Sequence, residues 1–137
     1  MVHALQDVHK ILRPDGVVVN IHDHPIPNLI EVHTPLTVAK IGWLTDKTDF
    51  VSERSAFSAL VQVVADGQYV LEDECDFDYN IHAGDQDELK QYLSDCWESA
   101  ILPERTSQRI AAAIREADEQ PDLVIIVPTR MTKLRAV

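Results

Sequence analysis

Apolar residues recur with a helical period in four segments of the chain. The helices that this period predicts span residues 3–12, 49–65, 85–97 and about 104–117. In the second of them, an apolar stripe with the spacing of a core-facing helix surface is formed by Phe57, Leu60, Val61 and Val64. Asp85 and Glu88 form a pair typical of a helix start. Pro14 and Gly16 end the first helix, and we expect a tight turn at Asp15 and Gly16.

Two short runs of apolar residues predict strands inside a sheet. These runs are Val17–Ile21 and Leu123–Val127, the second interrupted by Pro128 and extended by a basic tail. Uninterrupted apolar strands are typical of strands buried on both faces, as in a parallel sheet. Residues 29–33 and 37–44 are compatible with a hairpin.

Residues 69–82 alternate strictly and predict a long, half-exposed strand. One face is mostly apolar, and the other carries the carboxylates Glu72, Glu74, Asp76 and Asp78. A straight strand spreads these groups too far apart to surround a cation, so we interpret them as the solvated face of an edge strand. The order of elements predicts an α/β protein with a small mixed sheet, in one domain over residues 1–137.

Charge and composition narrow the possible partners. The 137 residues carry a formal net charge of -11, which disfavours binding to nucleic acid or to anionic membranes. No apolar run is long enough to span a bilayer, and the N-terminus has no signal-peptide pattern. Two cysteines, Cys75 and Cys96, are too few for a disulfide framework, and we interpret both as buried free thiols of a cytoplasmic protein. The alternative is a single disulfide or a catalytic thiol, although neither cysteine lies in a recognisable reactive motif.

The candidate chemistry lies in the segment His22-Asp23-His24, at the end of the first predicted strand. Residues two apart on a strand point to the same side, so His22 and His24 could bind one metal ion, with Asp23 or His33 as a third ligand. Hydrolases that open with such a motif need a closed barrel and further ligands, which this chain does not supply. The alternative is that both histidines are polar groups at a strand end. No glycine-rich phosphate loop, nucleophile elbow or zinc-spaced cysteine pair is present.

The segment HALQDVHKILRPDGVVVNI resembles the helix and fifth strand of class I S-adenosylmethionine-dependent methyltransferases. In that family a helix ending in Leu-x-Pro-Gly-Gly leads into an apolar strand; Leu12, Pro14 and Gly16 match, and Asp15 replaces the first glycine. The resemblance extends over nearly the whole chain. It implies that residues 69–82 are strand six and that the C-terminal segment is strand seven, inserted antiparallel between strands five and six. The implied fold is therefore a partial Rossmann-like methyltransferase fold with strands five, seven and six.

The resemblance also implies what this chain lacks. The glycine-rich turn and the acidic residue that hold the cofactor precede strand five in the family, and neither occurs here. No cofactor-binding residue can be assigned, so S-adenosylmethionine is expected only if a partner supplies the missing half. The loop after strand five borders the acceptor substrate in the family. This implies a place near a substrate pocket for His22, Asp23 and His24.

Three functions follow as hypotheses. The first is a truncated methyltransferase-like protein, inactive alone, that acts by association. The second is one subunit of a split methyltransferase, whose partner chain supplies strands one to four. The third is a small metal-binding protein or hydrolase that uses His22 and His24. An apolar strand edge left bare at Val17–Ile21 predicts a homodimer through that edge, or through exchange of the first helix.

Overall fold

The computed structural model describes residues 1–137 and contains four helices and six strands. The helices are α1 (Val2–Ile11), α2 (Val51–Ala65), α3 (Gln86–Cys96) and α4 (Glu104–Glu116). The strands are β1 (Val17–Asp23), β2 (Asn28–His33), β3 (Val38–Asp46), β4 (Tyr69–Ala83), β5 (Ala100–Ile101) and β6 (Asp122–Ala136). The α/β composition is therefore confirmed. Every predicted helix and strand is present, with the two-residue β5 as the one addition.

The six strands form an antiparallel sheet in the order β1-β6-β2-β3-β5, with β4 also paired to β6. The last half of β6 pairs with β1, from Val17 opposite Arg135 to Asp23 opposite Thr129. The predicted hairpin is the pair β2–β3. The prediction of a mixed sheet was wrong, because β1 and β2 both run against β6, which is their shared neighbour.

The chain forms two compact units. The first comprises Met1–Pro25, Phe50–Phe77 and Pro128–Val137, and the second comprises Ile26–Asp49 and Asp78–Val127. Strands β4 and β6 contribute residues to both units. Because such units also occur inside single domains, one domain over residues 1–137 stays a prediction.

In the first unit, α1 and α2 pack on the sheet. Its buried core consists of Leu5, Ala59, Leu60, Val63, Tyr69, Leu134 and Ala136. The Tyr69 hydroxyl donates a hydrogen bond of 2.8 Å to the backbone carbonyl of Leu5, which fixes α1 to the start of β4. The burial of this side chain raises the pKa of Tyr69.

In the second unit, the core lies between α3, α4 and the strands. Its buried side chains include Ile30, Val32, Leu44, Leu89, Ile110, Leu123, Ile125 and Val127. The run Leu123–Val127 is thus buried as predicted. At Gly42 of β3 a Cβ atom would lie 2.7 Å from the Thr106 hydroxyl of α4, so the close approach of α4 requires glycine there.

The turn between α1 and β1 has the predicted geometry. Asp15 adopts a left-handed backbone conformation with φ of 63°. The Gly16 amide donates 2.9 Å to the carbonyl of Arg13, and a Cβ atom on Gly16 would lie 2.8 Å from that same oxygen. The Pro-Asp-Gly sequence therefore matches a turn that only glycine allows at its last position.

Strand β1 is an edge strand rather than a strand buried on both faces. Its side chains alternate, and Val17, Val19 and Ile21 are 44%, 55% and 60% exposed on the face away from the helices. The prediction of two-sided burial was wrong because no helix of the first unit packs on that face. An uninterrupted apolar run does not by itself distinguish a central strand from an uncovered edge.

Three further predictions need correction. Cys75 and Cys96 are free, as expected, but both are exposed. Strand β4 is exposed along nearly its whole length, so its apolar face is not a core face. Strand β6 continues through Pro128, since β1 pairs with it only from Thr129 onward and no ladder hydrogen bond to β1 needs an N–H there.

None of the four helices has the length and apolar character that crossing a bilayer requires.

Candidate functional site

The end of β1 brings His22, Asp23 and His24 against β6. The backbone amide of His24 donates 2.8 Å to the carbonyl of Pro128, and the Thr129 hydroxyl donates 3.1 Å to the Asp23 carboxylate. His22 lies opposite Arg130 in the strand register. Because side chains alternate along a strand, Asp23 lies on the opposite face from His22 and does not join the histidines.

Phe57 of α2 holds the two histidines together. The ring of His22 meets the Phe57 ring edge-to-face, with 4.2 Å between centroids, and the ring of His24 lies 5.4 Å away in a tilted arrangement. The guanidinium carbon of Arg130 lies 5.5 Å from the centre of the same phenyl ring. This is a cation–π contact. It adds to the packing of the site cluster, by which we mean His22, His24, Phe57, Asp76 and Arg130.

Asp76 of β4 is the anionic centre of the cluster. Arg130 donates from Nε at 2.7 Å and from Nη2 at 2.8 Å to the two oxygens of Asp76, in a bidentate ion pair. The Nε2 atom of His24 lies 2.9 Å from Oδ1 of the same carboxylate. The hydrogen bonds from Arg130, and then that from His24, hold the pKa of Asp76 far below its usual range. Asp76 is thus ionised at any physiological pH.

His24 and Asp76 form an oriented histidine–carboxylate pair. With Asp76 ionised, Nε2 of neutral His24 carries the proton and donates a hydrogen bond to the carboxylate, so Nδ1 is the nitrogen that can accept a proton. This is the arrangement of a general base whose tautomer is held by an acidic partner. The imidazole is mostly buried, with about a fifth of its side chain exposed.

His22 has a different environment. The side-chain amide of Asn20 donates 2.6 Å to Nδ1 of His22, which places the proton of the neutral ring on Nε2. That Nε2 atom is buried and has no hydrogen-bond partner. Burial, together with the nearby His24 and Arg130, lowers the pKa of His22, so its imidazole is neutral at pH 7.

The metal hypothesis receives no support from this geometry. No group of three or more His, Cys, Asp or Glu side chains comes together to hold a metal ion. His33, the third candidate ligand, instead contacts Glu31 at 2.7 Å within β2. Nδ1 of His22 is already hydrogen-bonded to Asn20, and Nε2 of His24 is already hydrogen-bonded to Asp76.

Three carboxylates of β4, Glu72, Glu74 and Asp76, are paired with basic residues of β6. Glu72 accepts hydrogen bonds of 2.8 Å from Arg135 Nε, and Lys133 Nζ lies 2.8 Å from its other oxygen. These two bonds lower the pKa of Glu72, as Arg130 lowers that of Asp76. The basic residues of the C-terminal tail thus match the acidic residues of β4. The sequence contained a signal for this pairing, because Arg130, Lys133 and Arg135 follow an apolar strand and β4 carries the opposite charge.

Asp76, Arg130 and Phe57 were not predicted as site residues. Each comes from a different element, namely β4, β6 and α2, and lies far in sequence from the histidines. Only the register of β1 on β6 and the pairing of β4 with β6 bring them together.

No protein-family model matches the chain, and the comparisons with curated proteins and with solved structures found no match either.

Proposed function

We propose that this chain is a methyltransferase-like protein that corresponds to the C-terminal half of the class I fold and acts by association. The observation that carries the proposal is the position of β6, which pairs with both β1 and β4. The resemblance assigns these three strands as seven, five and six, with strand seven in the middle. A helix, a Pro-Asp-Gly turn and an apolar strand in succession at α1 and β1 also support it.

The cofactor would be held by residues outside this segment. The four glycines, Gly16, Gly42, Gly67 and Gly84, stand far apart, and no two of them form a glycine-rich turn. The chain therefore offers no cradle that fits S-adenosylmethionine. The chain supplies residues for the methyl-acceptor substrate, because His24, oriented by Asp76, could take a proton from the group that is methylated.

The free edge of β1 is the proposed site of association. Residues 16–21 carry no charged side chain, whereas the whole chain carries a net charge of -11. This stretch has no lysine, proline or other residue of the kind that normally prevents a strand edge from pairing with another chain. We propose that a partner chain with the missing strands pairs here. In the purified chain, where that partner is absent, we expect a second copy to pair at the same edge, because two identical uncharged strands can pair antiparallel about a two-fold axis.

Calorimetric titration of the purified chain with S-adenosylhomocysteine tests the proposal. We expect no binding by the chain alone. The tagged chain should be retained on immobilised S-adenosylhomocysteine only after incubation with a lysate of its source cells, and free S-adenosylhomocysteine should release it. Retention that is lost in Val19→Lys, but kept in Leu36→Lys, would place the partner on the β1 edge; Leu36 is a matched control because its side chain is 93% exposed in a loop.

Either of two outcomes would contradict the proposal. Micromolar binding by the chain alone would mean that these residues hold the cofactor themselves. No retention with or without the lysate would remove the methyltransferase assignment, while leaving homodimer formation to be decided separately by the mass of the assembly.

A further inference from the structure

An apolar groove of about 350 Å³ lies between α2 and the strands of the first unit. One wall is formed by Phe57, Val61 and Val64 of α2. The other wall is formed by Leu71 of β4 with Thr132 and Leu134 of β6. Its volume falls within the roughly 300–1,000 Å³ that is usual for small-molecule sites in proteins.

Helix α2 presents two apolar faces, and only one of them is buried. The core of the first unit takes Ala56, Ala59, Leu60 and Val63 from this helix. Of the stripe that the sequence suggested as the core face, Leu60 is buried and Val64 packs against the core, whereas Phe57 and Val61 face the groove. Val61 is 69% exposed, and Leu71 across the groove is 45% exposed. A second apolar face opposite exposed apolar strand residues is a surface that a ligand can cover.

A buried polar atom lines the same groove. Thr132 is only 4% exposed, and its hydroxyl has no hydrogen-bond partner in the protein. A buried hydroxyl without a partner is costly and uncommon in native proteins. Because this oxygen has almost no solvent-accessible surface, Thr132 contributes to the wall of the groove and not to its polar contacts.

The polar end of the groove is net negative. Glu74 and Arg130 line this end, and the guanidinium of Arg130 is already bound to Asp76 through two hydrogen bonds. Its Nη1 atom lies 3.6 Å from Glu74, which is too long for a hydrogen bond. One guanidinium therefore faces two carboxylates, and Glu74 retains hydrogen-bonding capacity. This charge balance repels an anionic head group and attracts a cationic one.

From these observations we propose that the groove binds a small primary amine with an apolar body, its ammonium group at Glu74 and its hydrocarbon along α2. This site does not depend on the methyltransferase proposal, because neither a cofactor nor a second chain takes part in it.

Titration of the ¹⁵N-labelled chain with octylamine, octanol and octanoate at pH 7.5 tests the site by NMR. The three probes share one hydrocarbon chain and differ in head-group charge. We expect octylamine to bind about tenfold more tightly than octanoate, as expected for a difference of one favourable charge contact near the surface. Octanol should be intermediate. The amide shifts should be confined to α2 and to the neighbourhood of Leu71 and Thr132.

Two variants sharpen the test. Glu74→Gln should abolish the preference for octylamine over octanol, whereas Asp73→Asn, which removes the same charge from a neighbour that does not line the groove, should leave it unchanged. Ala65→Phe should fill the groove and weaken all three probes. Equal binding of octanoate and octylamine, absence of binding, or an unchanged preference in Glu74→Gln would each overturn the proposal. The last result would do so even if Ala65→Phe failed to fold.

Discussion

At the scale of single residues, Asp76 is the group on which the candidate site depends. It receives two hydrogen bonds from Arg130 and one contact from His24, although its side chain is about half exposed. Its sequence environment, a strand with alternating carboxylates, gave no reason to separate it from Asp78 or Glu74. What distinguishes Asp76 is the residue opposite, since Arg130 and His24 reach it only through strand pairing.

The pH dependence of stability should report the ion pair of Asp76. The pKa of this carboxyl is lower in the folded chain than its ordinary value of 3.8. The unfolded chain then binds the proton more readily, so the stabilisation is present above about pH 4 and is lost as the pH falls further toward the folded pKa. Urea unfolding at pH 7, 5 and 3 should show a smaller loss between pH 5 and 3 in Asp76→Asn than in the wild type. Asp78→Asn is the matched control, and an acid limb identical to the wild type in Asp76→Asn would contradict the expectation.

His22 should titrate below its ordinary value and keep one tautomer. Burial lowers its pKa from 6.5, so the neutral ring favours the folded state and this contribution is lost as the pH falls below 6.5 toward the folded pKa. Long-range ¹H–¹⁵N NMR spectra should show the proton on Nε2, because Asn20 donates to Nδ1. Asn20→Ala should release this tautomer preference. A His22 resonance that titrates at or above 6.5 would contradict the account.

At the scale of secondary-structure elements, periodicity predicted every helix and every strand except β5. In α2 it placed Leu60 correctly in the core, but it did not predict that Ala56, Ala59 and Val63 form the rest of the buried face. Small residues decide this: Ala56 and Ala59 allow α2 to approach the sheet closely, while the bulkier Phe57 and Val61 are left on the groove side. Hydrophobicity alone favours the bulky face of α2 as the buried one, because hydrophobicity scales measure the free energy of transfer from water. They do not measure how closely the helix can pack against the sheet.

The start of α3 provides a direct test of a local sequence signal. The side chain of Asp85 accepts 2.8 Å from the Glu88 amide, and the Glu88 carboxylate accepts 2.7 Å from the Gly84 amide, which confirms the predicted pair. Asp85→Ala removes the cap and should lower the free energy of unfolding by about 1 kcal/mol in urea titrations. Asp85→Asn keeps an oxygen acceptor and should lose only a few tenths of a kcal/mol, by roughly the same scale. Equal losses in both variants would show that charge, and not the cap, stabilises this helix start.

The turn before β1 offers a second test at this scale. A Cβ atom at Gly16 would lie 2.8 Å from the backbone oxygen of Arg13, which cannot move without opening the turn. Gly16→Ala should therefore cost about 1–3 kcal/mol, as overpacking typically does. At Gly84 the nearest atom is the flexible end of Glu88 at 3.2 Å, so Gly84→Ala should cost clearly less. Thermal unfolding of both variants measures the difference, and an equal loss would remove the steric explanation.

At the scale of the whole molecule, the order of elements and the α/β class followed from sequence, whereas the direction of the sheet did not. The apolar runs of β1 and β6 suggested central parallel strands. In the protein, β6 is central, but β1 has a free edge and one uncovered face, with Val17, Val19 and Ile21 exposed. Sequence patterns report how apolar a strand is, and they do not report whether its own chain, a second copy or another protein covers it.

The assembly state tests what covers β1. We expect light scattering to give twice the mass of the 15.4 kDa chain at about 50 μM, a concentration well above the dissociation constant of a stable dimer. Val19→Lys places a charge in the middle of the edge and should yield the single-chain mass with unchanged circular dichroism, whereas Leu36→Lys should remain dimeric. A dimer that survives Val19→Lys would point to exchange of α1 instead of edge pairing. A wild-type chain that elutes with the single-chain mass would remove the homodimer and leave the edge of β1 for a different partner, which the experiment with immobilised S-adenosylhomocysteine would then have to identify.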